Sequence, residues 1–198
     1  MPDSIPTSSP LPLSGWMAEV QARFAKRPPR SLLESAEGLR RSGVLVPLLV
    51  REGRLWILFT RRTETVEHHR GQISFPGGAQ EREDESLFET ALRESEEEIG
   101  LARGDAILLG ELSPIVTVTN FYVEPYVAAI PQPYVFRPQE AEIAEVLEVP
   151  VAALMDPAAL EKKPLPGRDE LVLFYHYRQH VIWGATARML AELLEVLR

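Results

Sequence analysis

The stretch Arg93-Glu94-Ser95-Glu96-Glu97-Glu98-Ile99-Gly100-Leu101, preceded by Phe75-Pro76-Gly77-Gly78, sets four carboxylates within five residues just ahead of a glycine. Its spacing predicts a helix. Ser86 and Glu89 stand as a Ser-x-x-Glu capping box, Leu87, Ala91 and Ile99 recur at four- and eight-residue steps, and Gly100 supplies a C-terminal stop. The last turn is then crowded with acid. A helix C-terminus prefers cations, so Glu96, Glu97 and Glu98 oppose the dipole by about 0.3 to 1 kcal/mol each, and Glu94 repels Glu98 at i, i+4. A hard divalent cation gives such an arrangement a purpose. Glu94, Glu97 and Glu98 project onto one helix face and offer the oxygen ligands that Mg²⁺ or Mn²⁺ takes. A merely solvated acidic face is the plainer alternative. Ahead of the helix, Gly77-Gly78 lets the backbone turn tightly and exposes carbonyls to a ligand, unless it is a turn and nothing more.

The pattern Glu85, seven residues, Arg93-Glu94, two residues, Glu97-Glu98, one residue, Gly100 and an apolar residue resembles the signature of the Nudix hydrolases. Two positions depart from it. Ser95 replaces the small or apolar residue expected after Arg-Glu. Gly78 lies one residue too far from Glu85, which leaves Glu85 and Asp84 both open for the first acidic position. A second stretch, Leu58-Phe59-Thr60-Arg61-Arg62-Thr63 followed by Val66-Glu67-His68-His69-Arg70-Gly71-Gln72-Ile73-Ser74-Phe75-Pro76-Gly77-Gly78, resembles the element upstream of the Nudix box in the coenzyme A pyrophosphatase branch. Glu142-Ile143-Ala144-Glu145-Val146-Leu147-Glu148-Val149-Pro150 and Ile182-Trp183-Gly184-Ala185-Thr186-Ala187 look like the same branch. Where that branch carries Arg before the His-x-Gly, this chain has Glu67, with Arg70 three residues later.

The resemblance implies a Nudix fold of the α/β class, a mixed β-sheet sandwiched between helices, here with an N-terminal helical extension: residues 1–38 as tail and extension, 39–198 as the Nudix domain. It implies that Glu94, Glu97 and Glu98, with a carbonyl of Gly78, bind the metal. Arg93 orients the cluster by pairing with Glu97 or Glu85. A later acid serves as base or further ligand; Glu142 is the candidate, with Glu140 and Glu145 as substitutes. The activity implied is metal-dependent hydrolysis of a diphosphate linkage in a nucleoside diphosphate derivative, with coenzyme A or an acyl-coenzyme A leading. ADP-ribose, dinucleotides and modified nucleotides are the alternatives, and a binding-only nucleotide regulator is a reading from another class.

Charge distribution agrees with an anionic small-molecule substrate. Residues 51–70 hold Arg51, Arg54, Arg61, Arg62 and Arg70 with His68 and His69, whereas residues 80–98 hold nine carboxylates against Arg82 and Arg93. Arg61, Arg62 and Arg70, with Gly77 and Gly78, are the expected substrate contacts. A net charge of −8 argues against broad nucleic-acid binding, which depends on Lys and Arg neutralising phosphates. The 198 residues suit one well-buried domain, no apolar run approaches the roughly 18 residues of a membrane span, and zero Cys removes disulfides and thiolate metal sites. Met1-Pro2-Asp3 opens no targeting signal, so a cytoplasmic protein is expected. A homodimer is the oligomer considered.

Helical patterning runs over 14–26, after a Pro- and Ser-rich tail at 1–12. Residues 43–50 and 55–60 flank Glu52-Gly53 as a β-hairpin. Further strands are expected at 107–112, 115–119, 122–130, 143–151 and 171–177, and a helix over 183–197. The loop at 131–138 carries Tyr134 and Phe136, which would either stack on a nucleobase or pack on their own domain. His68-His69 lacks a third ligand at metal spacing and belongs to a loop or strand end.

Overall fold

The computed structural model describes residues 15–30, 38–64, 71–165 and 171–198. The N-terminal tail at 1–12 and the Glu67, His68, His69 and Arg70 positions lie outside the described residues. The expected hairpin is present: β1 (Arg40–Arg51) and β2 (Arg54–Arg62) pair antiparallel from Leu48↔Ile57 to Arg51↔Arg54. Its two-residue connection, Glu52-Gly53, has φ of 51° and 71°, the left-handed pair that suits the twist of a hairpin.

A proline within a central strand needs an interval in the ladder. β4 (Gly77–Ala79) pairs with β1 only up to Val44, and β2 begins its pairing at Leu48. Leu45 N donates to Pro76 O in the gap, so by alternation the nitrogen of Pro47, two residues on, faces the same break. The other side of β1 runs parallel to β7 (Phe121–Ala129), from Arg40↔Phe121 through Leu48↔Ala129. β3 (Ile73–Ser74) and β8 (Ile143–Pro150) pair with β2, while β5 (Ile107–Glu111) and β6 (Ile115–Val116) pair with β7. The result is an eight-stranded mixed sheet with the path β3-β2-β1-β7-β5.

Both faces of this sheet are covered, because β1 is apolar on both. Leu45 and Leu49 join Leu58 under α2 (Leu87–Ile99), against Leu87, Ala91, Leu92 and Ile99. Val44, Val46 and Leu48 join Ile57 and Phe59 in a second core with Phe24 of α1 (Gly15–Lys26) and Leu190, Leu193 and Leu194 of α4 (Gly184–Leu197). Gly43 sets how closely α2 approaches. A Cβ at Gly43 would overlap the Leu87 carbonyl and crowd the Ala91 amide, so any other residue pushes the helix off the sheet.

Three expectations need correction. The strand expected to run through Val151 ends at Pro150, and α3 (Val151–Met155) follows, burying Val151 and Leu154 at a helical i, i+3 step. The strand expected over 115–119 stops at Val116, where Thr117 and Asn120 close a turn with Asn120 at φ 61°. Trp183 is extended and precedes the helix, as the last residue of β11 (His180–Trp183), which forms a second sheet with β9 (Leu160–Lys163) and β10 (Val172–Tyr177) in the order β11-β10-β9. Among the described residues, no helix is long and apolar enough to cross a membrane.

Candidate active site

The acidic end of α2 is held by its neighbours. Ser86 accepts the Glu89 amide at 3.2 Å at the start, while Gly100 N reaches Glu96 O at 3.0 Å and Leu101 N reaches Ser95 O at 3.3 Å at the end. Two further carbonyls are taken by the later loop, Ile99 O by the Arg137 amide at 2.8 Å and Glu98 O by the Gln139 amide at 2.9 Å. These amides bring partial positive charge to the end where the carboxylates crowd. Ser95 is fully buried and donates to Ala91 O at 2.7 Å, so its hydroxyl is satisfied within the helix where the signature has an apolar residue.

Arg93 is the fixed cation of the site. It is buried and forks onto Asp84, Nε to Oδ1 at 3.0 Å and Nη2 to Oδ2 at 3.0 Å, while Nη2 also donates to Ala79 O at 3.0 Å. Its Nη1 reaches Glu94 Oε1 at 3.0 Å and Glu97 Oε2 at 3.3 Å. Asp84 accepts the Thr90 hydroxyl and the Glu81 amide as well. The Arg93 hydrogen bonds outweigh burial and hold the Asp84 carboxyl down at about 2. Of the two acids left open by the sequence, Asp84 is therefore the one paired with Arg93. Glu85 is exposed. The spacing from Gly78, and not the spacing to Arg93, was the signal to follow.

Glu94 and Glu98 face the turn before the helix. A Cβ on Gly78 would run into the Glu94 carboxylate, so this residue type lets the backbone and the acid share the space. Gly78 O accepts the Ser42 hydroxyl at 2.6 Å. Glu98 is buried, and its Oε2 has no hydrogen-bond partner; Arg62 reaches its Oε1 at 3.5 Å and Glu142 Oε2 at 3.3 Å. Burial first, and then the neighbouring Glu94 charge, push the Glu98 carboxyl up to about 8, against the opposing pull of Arg62. Burial raises Glu94 too, with Arg93 opposing. Glu97 differs, its side chain being 55% exposed on the rim.

These residues fit a hard divalent cation. A buried carboxylate oxygen without a partner, a second carboxylate against a glycine, and two acids raised first by burial and further by neighbouring carboxylates are oxygen donors that such an ion would satisfy. Among the described residues, no three acids or histidines converge closely enough to hold an ion as they stand, and Arg62 and Arg93 pair with Glu98 and Glu94.

Other expected residues lie elsewhere. Arg61 points to the opposite face of β2 from Arg62, pairing with Glu145 at 3.0 Å, and Glu145 in turn lies 3.6 Å from His180 of the second sheet. Glu140 is exposed. The aromatic loop packs on its own domain: Tyr134 and Phe136 lie 5.0 Å apart against the α2-side core, and Tyr134 Oη accepts the Ala102 amide at 2.9 Å and bonds Asp105 at 3.1 Å. Nucleobase stacking by these rings is thereby replaced by anchoring. Tyr134→Phe should lower unfolding free energy by about 1 kcal/mol in urea denaturation and leave KM for nucleotide substrates unchanged.

The NUDIX domain family matches residues 39–172. The Uncharacterized Nudix hydrolase NudL of Cronobacter sakazakii is 34% identical over 191 residues, covering 94% of this chain and 95% of that protein, and the Photorhabdus laumondii protein of the same name is 33% identical over 170 residues, covering 85% and 89%. Among solved structures, a MutT/nudix family protein from Enterococcus faecalis superposes with a TM-score of 0.53 at 17% identity, covering 90% of this chain and 72% of that one.

Proposed function

The chain belongs to the Nudix hydrolases, pyrophosphatases acting on nucleoside diphosphate derivatives, and from that premise we propose that it cleaves coenzyme A or an acyl-coenzyme A at the diphosphate. The observation that carries the reading is that the upstream element is part of the same site as the acidic helix. β2 delivers Arg62 to Glu98 and Glu142, and the end of the element, Gly77-Gly78, lies against Glu98 and Glu94. Residues 39–198 are taken as the catalytic unit, with 1–38 as an extension whose helix α1 packs beside α4 and β5.

Glu94, Glu98 and the Gly78 carbonyl would hold the metal, Mg²⁺ or Mn²⁺, with Glu97 on the rim. When bound, such a cation neutralises phosphoryl oxygens and acidifies a coordinated water. The chain's own residues supply the rest. Arg93, locked on Asp84, keeps Glu94 in register. Glu142 Oε1, free of the Arg62 contact made through Oε2, takes the proton of the attacking water, and Arg62 binds a phosphate oxygen of the substrate.

Glu67 favours a second reading, because it puts an acid in the sequence where the resembled branch has Arg, and an acid repels a 3′-phosphate, which coenzyme A carries and ADP-ribose lacks. A panel of coenzyme A, dephospho-coenzyme A, ADP-ribose and dinucleotides with Mg²⁺ or Mn²⁺, with products separated by chromatography, decides between them. The highest kcat/KM is expected for coenzyme A. A preference for ADP-ribose that persists in Glu67→Arg would sink the coenzyme A assignment.

A further inference from the structure

We propose that Arg62 is a displaceable counterion: in the metal-free enzyme its guanidinium occupies the carboxylates of Glu98 and Glu142, and it leaves Glu98 when a divalent cation binds, becoming available to the substrate diphosphate. The inference rests on the metal-binding reading of Glu94 and Glu98 and assigns a competition at that site.

The backbone aims Arg62 and then leaves its side chain loosely held. Between Arg61 and Arg62 the β2–β8 ladder shifts register, Arg61 facing Glu145 and Arg62 facing Ile143, so the extra residue, Ala144, bends β8 where it leads back to Glu142 beside Arg62. Arg62 N is fixed to Gln72 O at 3.0 Å, and the next amide, Thr63 N, to Glu142 O at 2.8 Å. The guanidinium by contrast makes single contacts of 3.5 Å to Glu98 and 3.3 Å to Glu142. Arg93, on α2 five residues before Glu98, makes a two-pronged 3.0 Å fork on Asp84 and is buried. One arginine is locked and the other is lightly tethered, with a quarter of its side chain open to solvent.

The unsatisfied partner is the second half of the argument. Arg62 engages only Oε1 of Glu98 and leaves Oε2 buried with no hydrogen bond. A divalent ion with oxygen ligands satisfies that carboxylate more completely than one long guanidinium contact. A cation on the open Oε2 and a guanidinium on Oε1 lie across one carboxylate and repel at short range in a buried site, so metal entry disfavours Arg62 on Glu98. The nearest new anion for the released fork is a phosphate, whose oxygens match a guanidinium in pairs.

The test, run under argon at pH 9 so that Glu98 is ionised without metal, is Mn²⁺ binding to the full chain without substrate, followed by electron paramagnetic resonance of free Mn²⁺ and by calorimetry, for the parent, Arg62→Met, Arg62→Gln, Arg62→Lys and Glu98→Gln. Both neutral Arg62 variants are expected to bind Mn²⁺ about three- to tenfold more tightly, the range one half-buried charge pair represents. They should also melt lower than the parent in EDTA, recover with saturating Mn²⁺, and lose kcat/KM despite the tighter metal. Arg62→Lys should return towards the parent's Mn²⁺ affinity. If the neutral variants bind Mn²⁺ no more tightly than the parent while Glu98→Gln loses it, the counterion role is overturned and the metal site stands. If Glu98→Gln binds Mn²⁺ as the parent does, the metal site falls and the counterion role with it.

Discussion

Glu98→Gln is expected to lower kcat by about 10²- to 10³-fold or more, the scale of losing one electrostatic partner of the transition state, and to erase stabilisation by Mg²⁺ or Mn²⁺. The same residue predicts a pH signature. In EDTA, the folded chain holds the Glu98 proton up to about 8, whereas the unfolded chain releases it near 4.5. The native state therefore binds more protons in between, and stability falls as pH rises through that interval before levelling off. A cation that favours the ionised carboxylate should raise the melting temperature more at pH 8 than at pH 5. Calorimetric melts of parent and Glu98→Gln across pH, with EDTA and with Mg²⁺, check both statements. A variant with parental turnover would remove Glu98 from the chemistry.

Asp84→Ala should cost about 3 kcal/mol of unfolding free energy, because it removes the fork on the buried Arg93 guanidinium and leaves its Nε without a partner, while Glu85→Ala should change stability by less than about 0.5 kcal/mol. Activity should follow, since Arg93 would release Glu94. Here the pH sense is reversed. Asp84 is held down at about 2 against an ordinary 3.8, so its contribution is present above roughly pH 4 and is lost as pH falls through about 2. Urea denaturation of the two variants discriminates directly; equal losses would show that the pair is shared with Glu85.

Local signals in the sequence were legible, and distant ones less so. The α2 caps, the Glu52-Gly53 hairpin and α4 are each set by neighbours within a few residues, and all stand near their expected places. Leu160-Glu161-Lys162-Lys163 carries no alternation of apolar residues, and His180–Trp183 abuts a helix, so β9 and β11 left little trace. At the site, the carboxylates and Arg93 could be read from spacing. Which of Arg61 and Arg62 meets the site acids could not, because Glu98 and Glu142 lie 36 and 80 residues from Arg62 and only the fold brings them to it. Tyr134 reads as a binding aromatic until the Ala102 amide and Asp105 that hold it are brought near by the fold.

The parallel pairing of β1 with β7 has a consequence during synthesis. Residue 40 must wait for residue 121, and Arg62 for Glu142, although the acidic helix lies between them in the chain. A nascent chain thus emerges with its hairpin and its carboxylates before the strand that completes the middle of the sheet exists, and long-range closures of this kind come late. A partially synthesised chain carries the carboxylates of α2 without the enclosure, so the site is assembled only after Glu142 and the β8 strand that follows it have left the ribosome and docked.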